Sequence, residues 1–403
     1  MRSTTVLYDG WPLVYEPYGP AAMHLQALLA HLPAHIEATV ALPGPAPAWL
    51  DQFRIHIQNT PAGDSGQLQW EQRLLPRFAQ QVGAQILHLT SPGAPLLGKV
   101  IRVISPGAYE GGYFFRGQSS LPDLGRRKEK ASAAGRLRLS LGQGGLARAR
   151  AVFWPDDAPD PELPVPVVKL PPVVHPSFTS MPLQDEMPKR GPNGHPRLES
   201  ERIANPEPED QAQMHRAFDL PESYVLYHGP SSLYWLQRLL ESWHWASSPV
   251  GDQYPLLILG MPDKQRDALS DLVRRFDLGE TVRALPDVSV ETLPAIYRGC
   301  SAFFHPAPFS PWGDPVRNAL ACGKPVVAAE SRLADAIVGP AAYLAPSDDP
   351  RALGAALLTV IVEEEVAGEL AQNARQRSGA WRSAAFSHAL DEVYRRILSR
   401  GES

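Results

Sequence analysis

The sequence predicts an α/β protein built from two Rossmann-like domains, and three observations predict it. At 403 residues the chain exceeds what one hydrophobic core usually serves. Short apolar runs alternate with helix-length stretches in both halves, as parallel strands joined by crossover helices do. Between the halves the composition turns to proline, charge and polar residues, as in PLQDEMPKRGPNGHPRLESER, which lacks the apolar surface to hold a fixed fold. The expected layout is a first domain over 1–170, a flexible linker or insertion over 171–209, a second domain over 210–380 and a C-terminal helix over 381–403.

In the first domain, Thr4–Tyr8 reads as a buried strand, followed by a loop rich in Gly, Pro and Tyr and an amphipathic helix over Ala21–Leu32. Further strands are expected at Ala38–Leu42, Gln85–Leu89, Lys99–Ile104 and Ala151–Trp154. In the second domain, Tyr224–His228 is a strand ending in Gly229, and a helix over Trp235–Trp245 follows. Strands recur at Pro255–Leu259, Val282–Leu285, Ala302–His305, Pro325–Ala328 and Ala342–Leu344. Helices over Arg351–Glu364, Val366–Ser378 and Arg382–Ser399 close the chain, the last with an apolar stripe of Ala385, Leu390, Val393 and Ile397.

Composition narrows the function classes. Lys and Arg number 38 against 43 Asp and Glu, a net charge of −5, so no global basic excess points to nucleic acid. Cys300 and Cys322 are too few for a disulfide framework or a four-ligand zinc site, and no metal or other cofactor is expected. No secretory pattern opens the chain, and the apolar run Ala352–Val362 is too short to cross a bilayer. The expected location is cytoplasmic.

The most informative stretch is FHPAPFSPWGDPVRNALACGKPVVAA, Phe304–Ala329. Asp314 is a good N-cap with Pro315 behind it, Gly323 ends the short helix, and Pro325 opens the next strand. A loop that leads from a strand into a helix N-terminus lies where open α/β sheets bind ligands and where helix amides receive anions.

In order and spacing this stretch resembles family-4 (group 1) glycosyltransferases, retaining enzymes of the GT-B fold that transfer a sugar from a nucleotide donor. Pro306, Gly313, Pro315, Ala319 and the run Ala321-Cys322-Gly323-Lys324-Pro325-Val326-Val327-Ala328 carry the resemblance. LPDVSVETLPAIYRGCSAFFHPA before it and LADAIVGPAAYLAPSDDPRALGAAL after it extend the likeness, and LPESYVLYHG matches the entry strand. The resemblance implies two Rossmann-like domains whose parallel sheets face a central cleft. A nucleotide-sugar donor would lie by Gly229, Ser231, Ser232, His305, Ser310, Trp312, Gly313, Asp314 and Asn318, and a glycan or lipid-linked acceptor by Tyr18, Gly19 and His88. The catalytic residue is not assigned.

The chain departs from the family at its donor motif. The family's two carboxylates, eight positions apart, fall on Ser310 and Asn318, which offer a short hydroxyl and a neutral amide. Where the family places an Arg and a Lys for the diphosphate, GPSSLYWLQRLLESW offers Leu233, Tyr234 and Trp235, with Arg238 further along. Asp314 stands where the family has an apolar residue and would repel a phosphate. The family's His-Asp pair in the first domain has no counterpart in VISPG. The sequence is thus a divergent member with degenerate donor-site motifs. Sugar transfer is its first reading, and a catalytically inactive binding or assembly module is the alternative.

Three residues carry a blander reading alongside the functional one. A lone histidine at a strand end, such as His88 or His305, is more often a hydrogen-bonded structural residue. Trp312 serves packing as readily as stacking on a base or sugar. Between 126 and 150, Arg126, Arg127, Lys128, Lys130, Arg136, Arg138, Arg148 and Arg150 face one acid, Glu129. That face suits peripheral contact with an anionic inner-membrane surface, although a solvated face is the commoner meaning of such a run.

Overall fold

The computed structural model describes residues 3–91, 93–109, 132–179, 216–381 and 383–399. The chain divides into two compact units. Unit 1 holds Met1–Val173, Phe309–Asp314 and Trp381–Ser403, and unit 2 holds Val174–Pro308 and Pro315–Ala380.

Unit 1 carries a parallel sheet of β1 (Thr4–Asp9), β2 (Ile36–Leu42), β3 (Arg54–Ile57), β4 (Ile86–Leu89), β5 (Ile101–Ile104), β6 (Ala151–Pro155) and β7 (Val167–Leu170). Their order is β3-β2-β1-β4-β5-β6-β7, so chain direction across the sheet reverses between β1 and β4. Central strands are buried along most of their length and are largely apolar, with Glu37 exposed near the start of β2. The edge strands β3 and β7 break that pattern with Arg54, His56 and Lys169, which explains why apolar runs alone did not predict them. The helices are α1 (Trp11–Tyr15), α2 (Pro20–Ala30), α3 (Asp64–Gln69), α4 (Leu75–Gln81) and α5 (Ala133–Leu146), with a π turn over Trp70–Leu74 joining α3 to α4.

Unit 2 carries a second parallel sheet of β8 (Val225–His228), β9 (Leu256–Leu259), β10 (Val282–Ala284), β11 (Ala302–His305), β12 (Val326–Ala329) and β13 (Ala342–Ala345), ordered β10-β9-β8-β11-β12-β13. Its reversal falls between β8 and β11. The helices are α6 (Leu233–Val250), α7 (Asp263–Arg275), α8 (Leu293–Gly299), α9 (Asp314–Ala321), α10 (Arg332–Val338), α11 (Pro350–Val362) and α12 (Glu364–Gly379). Leu240, Trp243, Phe304, Val327 and Leu357 anchor its core.

The closing helix α13 (Ser383–Ser399) belongs to unit 1, where Phe386, Leu390, Val393, Tyr394 and Ile397 are buried. Phe386 replaces the expected Ala385, which is exposed, because the larger ring sets the buried face one residue on. The Tyr394 hydroxyl lies 3.2 Å from that of Tyr8 on β1. Of the segment expected as a linker, 180–209 lies outside the described residues. Within 171–179, Val173 joins the unit 1 core, and Phe178 is buried edge-on to Tyr297 with ring centroids 5.2 Å apart.

Candidate functional site

In unit 2 aromatic and imidazole rings stand at the ends of β8 and β11. A Cβ on Gly229 would lie 2.8 Å from the Tyr227 hydroxyl and 3.0 Å from His305 Cε1, so glycine is what fits. The Tyr227 hydroxyl donates to the Pro230 carbonyl at 2.7 Å, and His228 Nδ1 meets the Tyr297 hydroxyl at 2.6 Å. His305 is fully buried, its Nε2 3.0 Å from the Pro308 carbonyl and its ring stacked between Tyr227 and Phe303. Burial pushes its pKa down to about 4, so it is neutral near pH 7. It offers no face to a ligand in this arrangement.

The open part of the predicted donor set is the turn into α6. Ser231 is half-buried, Ser232 is exposed, and Leu233 is 54% exposed at the first position of the helix. Ser232 precedes α6 in an extended conformation and makes no side-chain cap bond among the described residues. Arg238 does not serve this turn. Its Nη2 donates to the Ser347 carbonyl at 2.5 Å and its Nη1 lies 4.0 Å from Glu241.

The rest of the predicted set is buried. Ser310 accepts the Gly313 N–H on its carbonyl at 2.8 Å and on its hydroxyl at 3.1 Å, a tight turn in which Gly313 takes φ +59. That turn brings the backbone into α9, which begins at Asp314. The far end behaves as expected, with Gly323 at φ +67 and the Lys324 N–H returning to the Ala319 carbonyl. Trp312 has no exposed surface. It stacks on His24 of α2 at 4.2 Å and meets Phe386 edge-on at 6.5 Å, inside the unit 1 core. Asn318 and Arg317 in α9 are buried as well.

On the predicted acceptor side, Tyr18 is half-buried and Gly19 leads into α2 with its N–H on the Glu16 carbonyl. His88 is enclosed, with Nδ1 at the Tyr394 hydroxyl and Nε2 2.7 Å from the Ser105 hydroxyl. Burial pushes its pKa down to about 3.

Beside these, unit 1 holds a charged group of residues that sequence reasoning missed. Asp9 ends β1 fully buried and accepts from Trp70 Nε1 at 2.8 Å, the Trp11 N–H at 3.0 Å and the Ser91 hydroxyl at 3.1 Å. Next to Trp70, Glu71 receives Arg138 Nε at 3.0 Å and Nη2 at 2.9 Å. Burial raises the pKa of both acids, that of Glu71 to about 7 despite Arg138. Asp9 had a legible signal, an acid closing an apolar strand before Gly10. Glu71 had none, and Arg138 read as part of a basic face when it points inward. Arg126, Arg127, Lys128 and Lys130 lie outside the described residues, while Arg136, Arg148 and Arg150 are exposed.

Cys300 and Cys322 are free, buried thiols whose pKa values burial pushes up to about 11 and about 12. Among the described residues no three His, Cys, Asp or Glu gather to hold a metal ion, and no helix is long and apolar enough to cross a membrane.

Residues 235–377 match the family described as glycosyl transferases group 1, so the chain carries a group 1 glycosyltransferase domain within unit 2. Over 129 residues the chain is 28% identical to O-antigen chain mannosyltransferase B of Escherichia coli, covering 32% of this chain and 34% of that protein. Over 157 residues it is 31% identical to D-inositol 3-phosphate glycosyltransferase of Kineococcus radiotolerans, covering 36% of each. The matches thus span about a third of these relatives. Sucrose-phosphate synthase from Thermosynechococcus elongatus superposes with a TM-score of 0.66 at 16% identity, covering 98% of this chain and all of that one. Anabaena Alr3699/HepE, solved with UDP and glucose, gives 0.64 at 16% identity, with 98% of this chain and 100% of that one covered. WaaG, a glycosyltransferase involved in lipopolysaccharide biosynthesis, gives 0.63 at 11%, covering 96% and 99%. At such identities the likeness establishes the fold, which is the two-domain GT-B arrangement of Rossmann-like sheets, and the chain is glycosyltransferase-like.

Proposed function

We propose that the chain transfers a sugar, with retention of configuration, from a nucleotide-sugar donor held by unit 2 to a glycan or lipid-linked acceptor taken by unit 1 near Tyr18 and Gly19. The observation that carries this reading is the group 1 match, which covers unit 2 from the first turn of α6 into α12. Ser231, Ser232 and the first amides of α6 are the groups offered to the diphosphate, since a helix N-terminus favours an anion without a metal or a cationic side chain. HepE is solved with UDP and with UDP-glucose, which makes a uridine donor the first to try. The test is calorimetric titration with UDP-, GDP- and ADP-sugars alongside an assay for released nucleoside diphosphate. Saturable binding with slow donor hydrolysis is expected, and no binding to any of them overturns the reading.

A second reading, a binding or assembly module that has lost transfer, is favoured by one observation. Ser310, Trp312 and Asn318, at positions where the family's donor contacts cluster, are neutral and buried. Binding of a nucleotide sugar without hydrolysis or transfer to any acceptor would select it.

We also infer a cytoplasmic protein that touches the inner membrane face peripherally through Arg126, Arg127, Lys128 and Lys130. The exposed Arg136, Arg148 and Arg150 support this. Co-sedimentation with anionic vesicles that falls with salt is expected, and equal recovery with zwitterionic vesicles contradicts it.

A further inference from the structure

Helix α5 is held to unit 1 by polar contacts and by very little apolar surface. Its sequence, AAGRLRLSLGQGGL, contains Gly135, Gly142, Gly144 and Gly145, each a weaker helix former than alanine. Its buried residues are Gly135, Gly142, Gly145 and Leu146, and Leu137 is 50% exposed. By contrast α2 buries Ala21, Met23, Leu25, Leu28 and Leu29.

What docks α5 is a fork. Arg138 gives Nε to both oxygens of Glu71, at 3.0 and 3.1 Å, and Nη2 to one of them at 2.9 Å, a bidentate geometry. At the start of the helix, Ser132 accepts the Gly135 N–H at 2.9 Å and donates to Asp64. Near its end Gly145 lies flat on the chain, where a Cβ would come within 2.2 Å of the Ala94 carbonyl. Beneath the fork lies the π turn, whose Trp70 reaches Asp9 at the end of β1. The helix therefore covers one buried carboxylate, Glu71, and the chain at Ala94, using almost no hydrophobic anchor.

We propose that α5 is a lid over Glu71 and the π turn that carries it, latched by Arg138 on Glu71, which opens while the rest of unit 1 stays folded. Opening costs little buried apolar area, so it is a local event distinct from global unfolding. It returns Glu71 to water. It also carries Arg136 and Leu137, both exposed on the closed helix, away from the sheet. The lid is independent of sugar transfer, whose failure would leave it untouched.

Hydrogen–deuterium exchange of the full chain at constant pH tests this. In the unaltered protein, peptides spanning 137–146 are expected to exchange at least tenfold faster than peptides from α2. Arg138→Gln is expected to accelerate 137–146 a further tenfold with α2 unchanged, and Arg138→Lys, which keeps the charge and loses the fork, to fall between. Equal exchange of α5 and α2 overturns the proposal. So does an Arg138→Gln protein in which α5 is unaltered or in which both helices speed up together. The comparison within the unaltered protein decides the matter if the variant does not fold.

Discussion

The two sheets reverse strand order at equivalent places, and the chain has solved those places in opposite ways. At the ends of β1 and β4 in unit 1 stand Asp9 and Ser91, with Glu71 and Arg138 alongside, so two carboxyl groups are buried, Asp9 among neutral donors and Glu71 against a guanidinium. At the ends of β8 and β11 in unit 2 stand Gly229 and His305, with the His305 ring against Tyr227 and Phe303 and neutral near pH 7. A buried ion must be matched, whereas a ring needs only shape. The topology sets where a site can form and leaves its chemistry to the residues placed there. The group 1 match lies within unit 2.

The comparison can be broken most forcefully at Trp312. If this ring is core and not a ligand platform, Trp312→Ala costs about 4 kcal/mol in chemical denaturation, as large aromatic truncations do. A nearly neutral effect on stability with weakened nucleotide binding would return Trp312 to the donor site. Next in size is Asp9→Leu, which leaves Trp70 Nε1, the Trp11 N–H and the Ser91 hydroxyl without their acceptor and is expected to cost about 3 kcal/mol. An Asp9→Leu protein as stable as the parent would show that the network is incidental.

Glu71 gives the comparison a pH signature. Its folded pKa is raised from 4.5 to about 7, so the stability it contributes is complete below pH 4.5 and is lost as pH rises through 7. Between pH 5 and 8 the parent should lose about 2 kcal/mol that Glu71→Gln does not lose. His305, lowered from 6.5 to about 4, acts in the other direction, its contribution intact above pH 6.5 and lost as pH falls through 4. Parallel pH curves for the parent and Glu71→Gln would contradict the buried acid. The smallest effect is expected of Gly229→Ala, where the added methyl must displace Tyr227 or His305 at about 2 kcal/mol or less.

The central strands were legible in the sequence because burial on both faces leaves an unbroken apolar run, as in Val225–His228 and Val326–Ala329. The edges β3 and β7 were not, since half-exposed strands tolerate Arg54 and Lys169. At the candidate site the strand–glycine–serine turn into α6 was legible as a local pattern. The enclosure of His88 was not, because its partner Tyr394 stands 306 residues away on α13. Trp312 met the same limit, since the ring it stacks on belongs to α2. Arg138 looked like one of eight solvated bases, and only its contact with Glu71 shows it turned inward.

If unit 2 holds the donor, as proposed above, a sugar nucleotide must bind at the turn into α6. Calorimetric titration of the whole chain with UDP-glucose and GDP-mannose, with nucleoside diphosphate release followed in parallel, tests it most directly. Saturable micromolar binding to one of them is expected, with slow donor hydrolysis and loss of both when Ser232→Trp blocks the turn into α6. No binding to either sugar nucleotide, or binding that Ser232→Trp leaves unchanged, would contradict it.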